Sequence, residues 1–122
     1  LVLEPTSPLR TEETIKKAIQ MICDGYESVI AVRETTENIG RVEDGIFHPI
    51  VKDAPRQRQL RDKFFIESST IYAADTKFLR RTGTLVSKNW GALIVTKKES
   101  NDINNIEDFN YVEFLINGDK ND

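Results

Sequence analysis

The opening ten residues, Leu1-Val2-Leu3-Glu4-Pro5-Thr6-Ser7-Pro8-Leu9-Arg10, constrain the fold more than any other stretch of the chain. Three apolar residues run into a carboxylate and then into a turn stiffened twice by proline. A short apolar run bounded by a turn reads as a buried strand. Pro5 and Pro8 bar its continuation as a helix or central strand, because each fixes φ and lacks an N–H. Thr6 and Ser7 offer hydroxyls to their own backbone or to a ligand, and Arg10 stands at the mouth of a following helix. Polar side chains at the carboxyl end of a buried strand are where open α/β sheets bind ligands. Two readings stand: a plain strand-to-helix loop, or the floor of a binding site.

Thr11 is a plausible N-cap, with Glu12 and Glu13 in the first turn where the helix dipole favours them. Ile15, Ala18, Ile19 and Ile22 recur at helical spacing, Lys16 and Lys17 lie on the wet side, and Gly25 supplies the stop. Ser28 to Arg33 is short, apolar and β-branched, hence the next strand. Residues 1–33 therefore read as one βαβ unit with parallel strands and a right-handed crossover.

From Glu34 the character changes. A polar loop leads to Gly40-Arg41-Val42 and Ile46-Phe47-His48-Pro49, which flank the hairpin signal Glu43-Asp44-Gly45. His48 reads as a surface or turn histidine. Residues 52–63 are basic and nearly without apolar side chains; they form either a solvated loop or an anion-binding arm built on Arg56, Arg58, Gln59 and Arg61. Phe64 to Ala73 is a strand carrying Glu67, Ser68, Ser69 and Tyr72. Asp75 caps a short helix that Gly83 ends, and Gly91 to Thr96 is a further buried strand. Asn105 caps a last helix whose expected buried face is Ile106, Phe109, Val112 and Leu115, with the chain frayed from Gly118 onward. The element order predicts an α/β fold, a mostly parallel sheet with flanking helices. Residues 1–122 form a single domain, and about 34–63 and 80–90 are excursions that serve as lids or dimer contacts.

Composition removes several function classes. A net charge of −3 argues against a nucleic-acid binder driven by phosphate neutralisation. No apolar run approaches the roughly 20 residues that span a bilayer, so no membrane partner is expected and the default location is cytoplasmic. Cys23 is alone, and with His48 it cannot build a structural zinc site. A nucleophilic triad and a phosphate-cradling glycine loop are both missing. The chain begins without Met, inside a strand, and reads as part of something longer.

The run Glu99-Ser100-Asn101-Asp102-Ile103-Asn104-Asn105 is the last polar constellation. Asp102 and Asn104 alternate, so both face one side of an extended segment and offer oxygen ligands to a hard cation such as Mg²⁺. A helix-capping loop accounts for the same residues.

Taken together, these blocks resemble the C-terminal half of the acylneuraminate cytidylyltransferases, the CMP-N-acetylneuraminic acid synthetases. That family carries Q-P-T-S-P-L-R at the end of a central strand, and here Glu4-Pro5-Thr6-Ser7-Pro8-Leu9-Arg10 stands in its place. An R-Q arm followed by N-G-A-I-Y corresponds to Arg58-Gln59 and Ser68-Ser69-Thr70-Ile71-Tyr72. S-x-D-I-D-x-x-x-D-F corresponds to Ser100 through Phe109. The resemblance implies half of a nucleotide-diphospho-sugar transferase-like Rossmannoid fold. It also implies a homodimeric, Mg²⁺-dependent enzyme that joins CTP to a sialic-acid-like nonulosonic acid, releasing pyrophosphate, with this piece inactive alone. Carried over by position, it assigns substrate contacts to Glu4, Thr6, Ser7, Arg10, Arg41, Arg58, Gln59, Ser68 and Tyr72, and metal contacts to Asp102 and Asn104. Leu85 and Val86 fall where paired aromatics reach the partner's site. The family's CTP loop is absent, Glu4 replaces Gln, Ser68-Ser69 replaces Asn-Gly, and Asn104 replaces the second metal Asp. Two alternatives stay open: a degenerate, non-catalytic module that binds a sugar acid or dimerises, and a cytidylyltransferase for an eight-carbon keto sugar acid.

Overall fold

The computed structural model describes residues 1–118. Helix α1 (Glu12–Cys23) begins where Thr11 accepts a hydrogen bond from the Thr14 N–H at 3.2 Å, satisfying an otherwise orphaned donor. Glu12–Lys16 and Glu13–Lys17 ion pairs line its exposed face, and Gly25 at φ 107° turns the chain out of it. Strands β1 (Ser28–Thr35), β4 (Phe64–Ala74) and β5 (Trp90–Ile94) form the main sheet in the order β4-β1-β5. Strands β2 (Gly40–Glu43) and β3 (Ile46–Pro49) form a separate two-stranded hairpin. Its turn places Asp44 at φ 51° and Gly45 at φ 77°, the left-handed pair that a two-residue hairpin turn requires.

The α/β class holds, with helices flanking the sheet, and the sheet is mixed. β1 pairs parallel with β5 and antiparallel with β4. The reason lies in the connection: β1 reaches β4 through the hairpin and a 3-10 turn at Arg58–Leu60, and only a crossover returns a strand in parallel. The expected opening strand shrinks to Val2, bridged to Tyr72 by two backbone hydrogen bonds of 2.8 and 3.1 Å. That bridge is antiparallel to β4, so the opening segment runs in the same sense as β1 with β4 between them. The parallel βαβ sense survives; adjacency does not.

One face of the sheet buries Val29, Ala31, Ile71, Ala73, Leu93 and Val95 against Ala18 of α1, with Ile15, Met21 and Ile22 packed around them. Helix α2 (Thr76–Thr82) starts where Asp75 accepts from the Lys77 and Phe78 amides and ends at Gly83, φ 69°. Helix α3 (Ile106–Gly118) has a reciprocal cap, Asn105 accepting from the Asp108 amide and Asp108 from the Asn105 amide. Its expected buried face is a correction. Only Val112 is buried, while Ile106 and Phe109 are exposed, because Tyr111, Phe114 and Ile116 spread the apolar surface around the helix instead of confining it to one stripe. The fraying expected from Gly118 onward lies, past Gly118 itself, outside the described residues. Among the described residues no helix is long and apolar enough to cross a membrane.

β4 contains the irregularity that shapes the site. Ile30 faces Tyr72 across the ladder but Ala31 faces Ser68, so Ser69, Thr70 and Ile71 have no partner on β1. Such bulges re-aim side chains.

Candidate functional site

Three segments far apart in sequence meet beside this bulge. The first is the opening loop. The Ser7 N–H donates to the Glu4 carbonyl at 3.2 Å, closing a turn with Pro5 in the position that favours proline. Ser7 is 1% exposed, and its hydroxyl lies 2.9 Å from that of Ser69 and donates to Asp102 Oδ1 at 3.3 Å. The second segment is the bulge itself. A regular strand alternates faces, yet Glu67, Ser69 and Tyr72 share the open face because the bulge interrupts the alternation, while Ser68, Thr70 and Ile71 are buried. The Tyr72 hydroxyl accordingly donates to Glu67 Oε1 at 3.2 Å. The third segment, between β5 and α3, brings Asp102, and Asn104 Nδ2 donates to its Oδ2 at 3.1 Å. The Ile103 N–H donates to the Thr6 carbonyl at 2.8 Å, tying the third segment to the first.

The electrostatics follow from this packing. Burial pushes the Asp102 carboxyl up, but hydrogen bonds from Thr6, Ser69, Asn104 and Ser7 together outweigh it and hold the group below the usual carboxylate range. Burial, the charge and hydrogen bond of Glu67, and the charges of Glu4 and Asp102 push the Tyr72 phenol above its ordinary value. The site is thus anionic on one wall and rich in hydroxyls on its floor.

Of the residues assigned from sequence, Glu4, Thr6, Ser7, Tyr72, Asp102 and Asn104 come together here. Arg10 is present in a different part. Its Nε donates to the Thr70 carbonyl at 2.9 Å and its Nη2 to the Glu4 carbonyl, so it braces the loop against the bulge. Ser68 is buried, its hydroxyl 2.7 Å from that of Thr70. Arg41, Arg58 and Gln59 lie exposed on the excursion, where Arg58 Nε donates to the Thr36 hydroxyl at 2.9 Å. Val86 is exposed and Leu85 half-buried.

Sequence reasoning named Thr70 and Glu99 within longer polar runs but gave neither a role, and both organise the site. Thr70 is fully buried and its hydroxyl donates to the Glu99 carbonyl at 3.1 Å. The Glu99 carboxylate is buried and accepts from the hydroxyls of Thr11, Thr14 and Thr96 and from the Thr96 N–H. Burial raises its pKa, and the hydrogen bonds from Thr14, Thr96 and Thr11 overcome that and hold it low. The available signal was the recurrence of threonine at Thr11, Thr14 and Thr96; the flanking Lys97 and Lys98 masked it.

A magnesium ion at this place would meet one carboxylate, Asp102, the Asn104 amide and the hydroxyls of Thr6, Ser7 and Ser69. Among the described residues no three His, Cys, Asp or Glu side chains gather as a metal cluster. The donor set is all oxygen with Asp102 as its one carboxylate, and that carboxylate already accepts from Thr6, Ser7, Ser69 and Asn104, so a hard cation there would have to displace those bonds and keep most of its water.

No protein-family model matches the chain. Over 122 aligned positions it is 30% identical to the post-translational flagellin modification protein B of Campylobacter coli, an alignment covering 93% of this chain and 51% of that relative. The chain thus spans about half the length of the curated relative it matches.

Proposed function

We propose that this chain is the sugar-acid-binding, dimer-forming part of a cytidylyltransferase that joins CTP to a sialic-acid-like nonulosonic acid, giving the CMP-sugar and pyrophosphate. The observation that carries the reading is the convergence of Thr6, Ser7, Ser69, Tyr72 and Asp102 from three separate segments beside the β4 bulge. Those segments are the same three whose sequences resemble the cytidylyltransferase motifs. The half-length likeness to a flagellin modification protein supports the direction, since a sugar acid must be activated before it is attached to anything.

In the reaction, the sugar's anomeric hydroxyl would lose its proton to solvent and attack the α-phosphorus of CTP, and the bond from that phosphorus to the oxygen bridging the β-phosphate would break to release pyrophosphate. Positioning and charge neutralisation supply most of the catalysis. The hydroxyls of Thr6, Ser7 and Ser69 and the phenol of Tyr72 would orient the sugar, with Glu67 fixing the tyrosine by accepting a hydrogen bond from its hydroxyl. Mg²⁺, when bound by Asp102 and Asn104, would neutralise phosphate charge. Glu4 faces the site as an anion, so the favoured ligand presents hydroxyl or ammonium groups to that wall and its carboxylate elsewhere. Dimerisation would bury the exposed Val42, Ile46, Phe47 and Ile50 of the hairpin, and use of CTP would place the reaction in the cytoplasm.

Titration of the chain with N-acetylneuraminic acid should move the resonances of Thr6, Ser7, Ser69 and Tyr72, and Ser7→Ala should abolish the shifts. In a protein joining this chain to a nucleotide-binding half, pyrophosphate should leave CTP only when the sugar acid is present. Binding without turnover in that protein would favour the second reading, a non-catalytic sugar-acid module, which the single carboxylate beside Asn104 supports. Turnover with an eight-carbon keto acid alone would change the substrate class. No shift with either acid would remove the proposal.

A further inference from the structure

We propose that Glu99 is a positioning residue, whose buried carboxylate locks the Thr6–Ser7 loop and Asp102 in register without itself touching a ligand. The proposal rests on the reading of Thr6, Ser7, Ser69 and Asp102 as a binding floor, and its test is independent of any ligand.

Glu99 sits in Lys97-Lys98-Glu99-Ser100, a setting that ordinarily leaves a glutamate in water, yet it is 8% exposed. Both carboxylate oxygens are occupied. Oε1 accepts from Thr11 Oγ1 at 3.0 Å and from Thr14 Oγ1, and Oε2 accepts from the Thr96 N–H at 3.2 Å and Thr96 Oγ1 at 3.1 Å. Its backbone carbonyl accepts from Thr70 in the bulge. A buried carboxylate is tolerated only when such donors are all in place, so Glu99 admits one arrangement of the start of α1, the bulge and the loop after β5.

That arrangement is the one the floor needs. Thr11 follows directly on Arg10, which braces the opening loop on Thr70 and Glu4. Three residues beyond Glu99, Asp102 meets Ser7, and the next residue, Ile103, bonds Thr6. The hydrogen bonds form a closed ring: Glu99 to Thr11 and Thr14, Arg10 to Thr70, Thr70 back to Glu99, and Thr6 to Ile103. A rival role as a general stabiliser of the fold predicts a different response, because β1, β4 and β5 are held by their own ladder.

Amide hydrogen exchange on the chain separates the two. In Glu99→Gln, one carboxylate oxygen becomes an amide nitrogen that faces donors. The Ile103 and Thr96 amides should then exchange roughly ten- to a hundredfold faster, the loss of one or two charge-assisted hydrogen bonds. The Asp75 amide, bonded to Glu27, and the Gly83 amide, bonded to Leu79, should hold their rates. Thr14→Val should act in the same direction and Thr14→Ser, which keeps the hydroxyl, should restore protection; this pair carries the test if Glu99→Gln fails to fold. Equal acceleration at Ile103 and Asp75 would make Glu99 a general stabiliser and overturn the proposal, as would unchanged exchange at Ile103. A chain that binds no sugar acid but shows the local acceleration would retain the clamp and lose the function.

Discussion

Replacing Thr70 by valine removes one hydroxyl from a fully buried position while keeping the side chain's shape. In the native chain that hydroxyl donates to the Glu99 carbonyl at 3.1 Å and lies 2.7 Å from Ser68 Oγ. Valine leaves both partners buried without it, and an unsatisfied buried polar group costs about 1–3 kcal/mol. The additional buried methyl offsets roughly 1 kcal/mol. Counted over both partners, the net cost is about 1–5 kcal/mol, centred on about 3 kcal/mol, or roughly 12 °C in Tm at about 4 °C per kcal/mol for a domain of this size. Thr70→Ser keeps the hydroxyl and loses only the methyl, costing about 1 kcal/mol. Thermal unfolding of the three proteins, followed by circular dichroism, should rank native above serine above valine. The order is the diagnostic, since burial of apolar surface alone ranks valine above serine. A valine variant as stable as the native chain, or more stable than the serine variant, would refute the polar accounting at the bulge.

Glu99 and Asp102 both have pKa values held below the usual carboxylate range, so each favours the folded state above its unfolded value and loses that contribution as pH falls through its folded value. Tm should fall on acidification below the ordinary carboxylate range, and Glu99→Gln should flatten that dependence. Gly45→Ala forces a side chain into φ 77° and should cost about 1 kcal/mol in the hairpin turn, read as a loss of the β2–β3 cross-strand contacts by NMR. Asp75→Ala removes the acceptor for the Lys77 and Phe78 amides and should cost about 1 kcal/mol, with the loss concentrated in exchange protection of α2.

Local signals were legible in the residues. Thr11, Asp75 and Asn105 cap where capping chemistry places them, and Asp44-Gly45 turns the hairpin. The grouping of Ser7, Tyr72, Asp102 and Asn104 as neighbouring polar side chains was legible too. What escaped was set by contacts distant in sequence. The antiparallel sense of β4 depends on a connection without a crossover helix, and the same apolar run suits either direction. The role of Glu99 depends on three threonines that fall within reach only after folding, two of them some 85 positions away. Ile106 and Phe109 satisfied a helical period, yet period alone does not say what covers a helix.

The bulge in β4 also governs how the length of this chain can change over generations. Three residues lie between the two registers, an odd number, so the strand is read in one phase before Ser69 and in the opposite phase after Ile71. Losing or gaining one residue there would exchange the inner and outer faces of one half of the strand, sending Ile71 and Ala73 to solvent or Tyr72 into the core. A change of two residues would preserve both phases and alter only the depth of the floor. Viable descendants of this sequence should therefore vary at Ser69–Ile71 by even steps more readily than by odd ones, because an even step keeps both halves of β4 in their present pairing with β1.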